Sequence, residues 1–181
     1  MPTNWDKMAA EAARTAIRSG WWITPRSDEE LAALINSEVG EAVECIRMRQ
    51  NELWFRCVPE NKGHTNRECG GACTAYPKCR GGKPEGLPAE LADIIIRIMD
   101  MMKHQHLKFP TPKSAQYEFY TQRSPLAGLA HLAFTPQTDW YAYINQIAAY
   151  ARAHRINLLN SVRIKMRYNR HRSWRHGNKA A

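Results

Sequence analysis

The sequence predicts an all-α protein, an antiparallel helical bundle, from three observations. Its long segments repeat with a 3.6-residue period, alternating runs of the strand type are scarce, and Leu, Ile, Met and Ala dominate the apolar positions. At 181 residues the chain fits a single domain, 1–181, large enough to bury a core without disulfide staples.

Residues 4–19 form a first helix with Trp5, Met8, Ala9, Ala12 and Ala16 on one side, closing at Ser19-Gly20, where glycine accepts the left-handed cap. Trp21 and Trp22 follow. Such a pair between helices serves packing, or offers faces on which a nucleobase stacks, and both residues are kept as base-contact candidates. Ser27-x-x-Glu30 is a capping box that starts a second helix at Asp28 and carries it to about Arg49. Residues 51–86 are rich in Cys, Gly and Pro and break the pattern, so they read as an insertion. A third helix follows Gly86, with Pro88 in its first turn, and ends between His106 and Phe109. His104 and His106 diverge at i, i+2 and are read as surface residues. Residues 114–134 give one helix or two short ones broken at Ser124-Pro125. Thr135-Pro136 reads as the N-cap and N1 pair of a helix through His154, Asn157 caps the last helix, and 173–181 form a basic tail.

Two acidic pairs organise the chain: Glu38-x-x-Glu41 in the second helix and Glu90-x-x-Asp93 in the third. Residues three apart point the same way from a helix. Glu38 falls in the middle of the apolar arc of Leu31, Leu34, Ile35, Ala42, Cys45 and Ile46, with Glu41 at its edge. The third helix is apolar nearly all round and leaves one polar strip of Glu90, Asp93, Arg97 and Asp100. A buried carboxylate must be neutralised, paired or bound to a cation. If the two helices pack antiparallel, four acids converge, and oxygen ligands without His or Cys suit Mg²⁺, with Mn²⁺ as a substitute. The competing reading makes Glu41, Asp93 and Asp100 a solvated face, with Arg97 neutralising Asp93 at i+4.

At these residues the sequence resembles the MazG-like all-α nucleoside triphosphate pyrophosphohydrolases. Their ExxE and ExxD motifs match Glu38, Glu41, Glu90 and Asp93, and the flanks SEVGEAVE and KPEGLPAELADIIIRIMD are similar over both helices. In one branch the chains end in Lys-x-x-x-Asn-x-x-Arg and a His-Gly-basic tail, which matches Lys165, Asn169, Arg172, His176 and Gly177. The resemblance covers about half the chain and implies cleavage of an NTP or dNTP to the monophosphate and pyrophosphate. It further implies a homodimer or homotetramer, to which an exposed flank of Ile96 and Met99 would contribute. The spacer between the acidic pairs is much longer here than in that family.

The remaining residues fit the same chemistry. Leu158, Val162, Lys165, Asn169 and Arg172 share one helix face, so an apolar stripe continues into a point charge, an amide and a planar fork suited to phosphate or base edges. Lys83 either reaches a phosphate or stays a solvated loop lysine. Glu41 and Glu38 are both candidates for the catalytic base. In the insertion, Cys57, Cys69, Cys73 and Cys79 either bind a structural Zn²⁺ or remain thiols, since their spacings of eleven, three and five residues lack a C-x-x-C knuckle. Cys45 reads as a small hydrophobe.

The net charge is +9, and residues 140–181 carry nine Lys/Arg and no Asp or Glu. A polyphosphate substrate, nucleic acid or mere solubility would each answer that charge. The alternative is a basic helical nucleic-acid-binding or adaptor protein with a zinc-stapled loop. No apolar run has the length of a membrane span and the N-terminus lacks a signal-peptide core, so a cytoplasmic protein without membrane partners is expected. No P-loop, nucleophile elbow or Rossmann fingerprint is present.

Overall fold

The computed structural model describes residues 4–57, 82–134 and 139–172, and these are mainly helical. The elements in order are α1 (Trp5–Arg18), α2 (Asp28–Arg47), β1 (Trp54–Cys57), β2 (Gly82–Glu85), α3 (Leu87–His104), α4 (Tyr117–Thr121), α5 (Pro125–Phe134), α6 (Trp140–Ala153) and α7 (Leu158–Asn169). Among the described residues no helix is long and apolar enough to cross a membrane.

Local chemistry sets most boundaries. The Asn4 side chain accepts the Lys7 N–H at 2.9 Å and starts α1, and Gly20 takes φ +80° behind its end. Ser27 and Glu30 form the reciprocal capping box of α2. Asn157 accepts from the Asn160 N–H at 3.1 Å and caps α7. Three boundaries differ from expectation. The second helix stops at Arg47, with Arg49 at φ +57°, and the third stops at His104, with His106 at φ +60°. The helix expected from Thr135-Pro136 begins instead at Trp140, where Asp139 accepts the Ala142 N–H at 3.0 Å; residues 135–138 lie outside the described residues.

The ends of the insertion pair as a two-stranded antiparallel ribbon, Trp54 opposite Glu85 and Cys57 opposite Gly82, which the sequence did not signal. The residues expected to form a zinc site, Cys69, Cys73, Cys79 and the Cys57 side chain, lie outside the described residues, as do His176 and Gly177.

The two acidic helices run antiparallel. Leu87 N–H at the start of α3 donates to the Gln50 carbonyl just past α2 at 2.9 Å, and Gln105 Nε2 past the end of α3 donates to Asp28 Oδ1 at the start of α2 at 2.8 Å. Helix α3 is the axis of the bundle and packs against α1, α2, α6 and α7. Its Leu91, Ile94, Ile95, Ile98, Met101 and Met102 are buried in one core with Ile35, Val39, Tyr143, Ile144 and Val162. Met99 is fully buried as well, and Ile96 is only half-buried, so the exposed flank expected from these two is not present: neighbours cover α3 on almost every side.

Gly86 fixes where α3 begins. It sits at φ +91°, a region that disfavours residues with a Cβ, and a Cβ there would lie 2.2 Å from the Glu52 carbonyl oxygen. Gly86→Ala is expected to destabilise the protein by ~2–3 kcal/mol in chemical denaturation. An unchanged midpoint would show that the turn before α3 can relax freely.

Candidate functional site

A cleft of about 220 Å³ opens where α2, α3 and α7 meet the end of α1. It gathers residues far apart in the chain: Glu38 and Glu41 from α2, Glu90 and Asp93 from α3, Lys83 from β2, Lys165 and Asn169 from α7, Arg172 beyond it, and Trp21 from the turn after α1. Of the residues that the sequence singles out for the acid-bound cation and the substrate, the structure thus brings together all but one. The exception is Trp22, which does not line the cleft: its indole donates to Asp100 and stacks on His104 with ring centroids 3.6 Å apart.

Glu38, Glu90 and Asp93 can each present a carboxylate oxygen within 4.8 Å of the others. Glu38 and Glu90 are buried, at 5% and 4% exposure, because the core arcs of α2 and α3 that carry them face each other. Glu41 stays exposed at the rim. Two cations already lie among these acids. Arg97 meets Glu38 Oε1 through Nη2 at 2.5 Å and Nε at 2.6 Å, and Lys165 Nζ meets Asp93 Oδ2 at 2.7 Å while donating to the Pro84 carbonyl at 3.3 Å. Arg97 therefore reaches across to α2, and Asp93 takes its partner from α7, which differs from the i+4 pairing within α3 considered above.

Burial governs the protonation of this centre. It pushes the Glu90 carboxyl up to about 8, with Lys165 opposing and the charges of Asp93, Glu41 and Glu38 reinforcing. Glu38 is likewise raised by burial, against the pull of Arg97. For Lys165, 1% exposed, burial disfavours the charge, yet Asp93 and Glu90 more than offset it and its pKa is raised. Asp100, held by Trp22 and near Arg26 and Arg97, is pushed by burial up to about 7. Cys45 is a buried free thiol raised to about 11, as suits a core residue.

Lys83 pairs with Glu85 at 2.9 Å and lines the cleft, so it is neither a fully solvated loop residue nor part of the acid cluster. Arg97 and Asp100 share the cleft although the sequence marked them only as members of the polar strip on α3. Their spacing was the available signal, since both follow Asp93 on its own helix face, at i+4 and i+7.

No protein-family model, curated protein or solved structure matches this chain.

The raised carboxyl of Glu90 makes stability depend on pH. Its unfolded value is 4.5 and its folded value about 8, so between these the folded state holds a proton that the unfolded chain has released. That contribution is complete below the lower value and is lost as pH rises through the upper one. In chelator, the melting temperature is expected to fall between about pH 5 and about pH 8, and Glu90→Gln to flatten the fall. Glu38 and Asp100 act in the same direction, whereas His154, lowered by burial, acts in the opposite one; all three remain in the variant, so the difference between the two profiles reports Glu90 and its influence on neighbouring Glu38. Parallel profiles would show that Glu90 does not carry the proton.

Proposed function

We propose that the protein is a Mg²⁺-dependent hydrolase that cleaves a nucleoside or deoxynucleoside triphosphate between the α and β phosphates, as the resemblance to the MazG-like enzymes implies. The observation that carries the reading is the convergence of Glu38, Glu90 and Asp93 beside a buried lysine in one cleft. The donor set fits the ion. It is carboxylate oxygen alone, the hard-ligand chemistry of Mg²⁺ and Mn²⁺, and the burial that drives Glu90 toward protonation is what a divalent cation would relieve.

Glu38, Glu90 and Asp93 would hold the cation, with Glu41 at the rim as a fourth acid. When bound, the ion neutralises phosphate oxygens and acidifies water. The chain's own groups complete the chemistry. Glu41, exposed at the cleft edge, would take the proton of an attacking water more readily than Glu38, which is buried against Arg97. Lys165 and Arg172 offer positive charge to the polyphosphate, and Asn169 presents a buried Oδ1 with no partner among the described residues, an acceptor for a substrate hydroxyl or amino group. Arg97 would have to share or leave Glu38 when the cation arrives, since both need the same carboxylate.

Pyrophosphate release from a panel of nucleotides, with and without Mg²⁺, tests the activity. Glu38→Gln and Asp93→Asn keep the shape and remove ligand charge, so each is expected to lower kcat/KM at least about a hundredfold while the helical circular dichroism spectrum is retained. Full turnover by either variant at saturating substrate would exclude these acids.

The rival nucleic-acid-binding reading rests on the basic α7. Arg163 and Arg167 are exposed on that helix while Lys165 is buried in the cleft, so the two readings separate at these positions. Lys165→Met keeps the aliphatic volume, and it is expected to reduce kcat/KM by about 2–4 kcal/mol equivalent, with Arg167→Met nearly silent. Equal losses that fade with added salt would favour general anion attraction and the nucleic-acid reading.

A further inference from the structure

Asp100 lines the same cleft but belongs to no part of the acid centre. It lies seven residues after Asp93 on α3, about 10 Å along the axis at 1.5 Å per residue. That is on the order of the distance between a triphosphate and the base that carries it.

The carboxylate is held in place. Trp22 Nε1 donates to both its oxygens, at 2.8 and 3.0 Å, and the indole is pinned by the stacked ring of His104 at an interplanar angle of 12°. Burial pushes its carboxyl up to about 7, while Trp22, Arg26 and Arg97 favour the anion, so the group is ionised above that pH. An ionised carboxylate has about four acceptor positions, and one shared indole N–H leaves capacity for further donors. The lining of the cleft includes Ala12, Ile96 and Trp21, two apolar side chains and an aromatic ring that also carries Arg26 over it, surfaces suited to a flat ring.

An anion fixed in a partly buried cleft accepts from an N–H and repels a carbonyl oxygen. We infer that Asp100 sets the base specificity of this cleft, selecting nucleotides whose base carries an exocyclic amino group over those with an oxo group in its place. The inference rests on the proposed nucleotide hydrolysis and adds to it the substrate class and the residue that reads it.

Equilibrium binding tests it without turnover. Isothermal titration of the whole chain with α,β-imido analogues of dCTP and dUTP, and of dATP and dITP, gives two pairs in which an amino group is exchanged for an oxo group and the neighbouring ring nitrogen gains a hydrogen. The titrations are done in Mg²⁺ at about pH 8, where the carboxyl is mainly ionised. Wild type is expected to bind each amino member at least about tenfold more tightly than its oxo partner. In Asp100→Asn the preference should shrink to near unity or reverse, because the amide can donate to an oxo group while its oxygen still accepts from Trp22. A residue that merely positions Trp22 would leave the ratio intact and weaken all four ligands together. Equal affinities within both wild-type pairs, or the same preference in wild type and variant, would overturn the inference alone. Failure of all four analogues to bind would overturn it together with the hydrolase reading.

Discussion

Everything about the centre of this protein follows from the cost of putting carboxylates inside a helical bundle. Glu38 and Glu90 are carried on the buried sides of α2 and α3, where a hydrophobe would pack with less penalty. Burial works against their charge, and Arg97 and Lys165 meet it only in part, since Glu90 remains pushed up to about 8. A structural ion pair needs one acid for each base. Here Glu38, Glu90 and Asp93 outnumber Lys165 and the half-exposed Arg97 that pair with them, and the surplus is what a divalent ion would answer.

The scaffold exists to hold that surplus in register. Gly86 places the first turn of α3, Gln50 and Asp28 tie its two ends to those of α2, and Asp6 binds Lys103 and the Phe109 N–H so that α1 closes the other side. The ribbon of β1 and β2 brings the Pro84 carbonyl under Lys165, so a segment interrupting the two acidic helices in sequence also helps to seat the lysine between them. The result is a cleft floor built on helices and a rim, with Glu41, Trp21 and Arg172, that solvent can reach.

Much of this was legible in the chain because helical periodicity is a local property. The mid-arc position of Glu38, the polar strip on α3, the shared face of Lys165 and Asn169, and the capping residues Ser27 and Asn157 all follow from spacing alone. What spacing does not carry is the identity of neighbours. That Arg97 would cross to Glu38 rather than stay with Asp93, that Met99 would be covered, and that Trp22 would hold Asp100 rather than line the cleft itself depend on tertiary packing. The short ribbon escaped notice because its strands are four residues each and pair across the insertion, too brief for an alternating pattern. Asp139 supplies the N-cap of α6, and local preference does not decide between it and a capping sequence as close by as Thr135-Pro136, which lies outside the described residues.

The central claim is that the acids of α2 and α3 form a cation centre rather than a set of internal salt bridges. Crystals equilibrated with Mn²⁺ and a non-hydrolysable triphosphate, measured for anomalous scattering at the manganese edge, address it directly. The expected result is a peak about 2.1–2.2 Å from oxygens of Glu38, Glu90 and Asp93, with the Arg97 guanidinium moved away from Glu38. A difference map without such a peak, with Arg97 still seated on Glu38 and Lys165 on Asp93, would contradict the account.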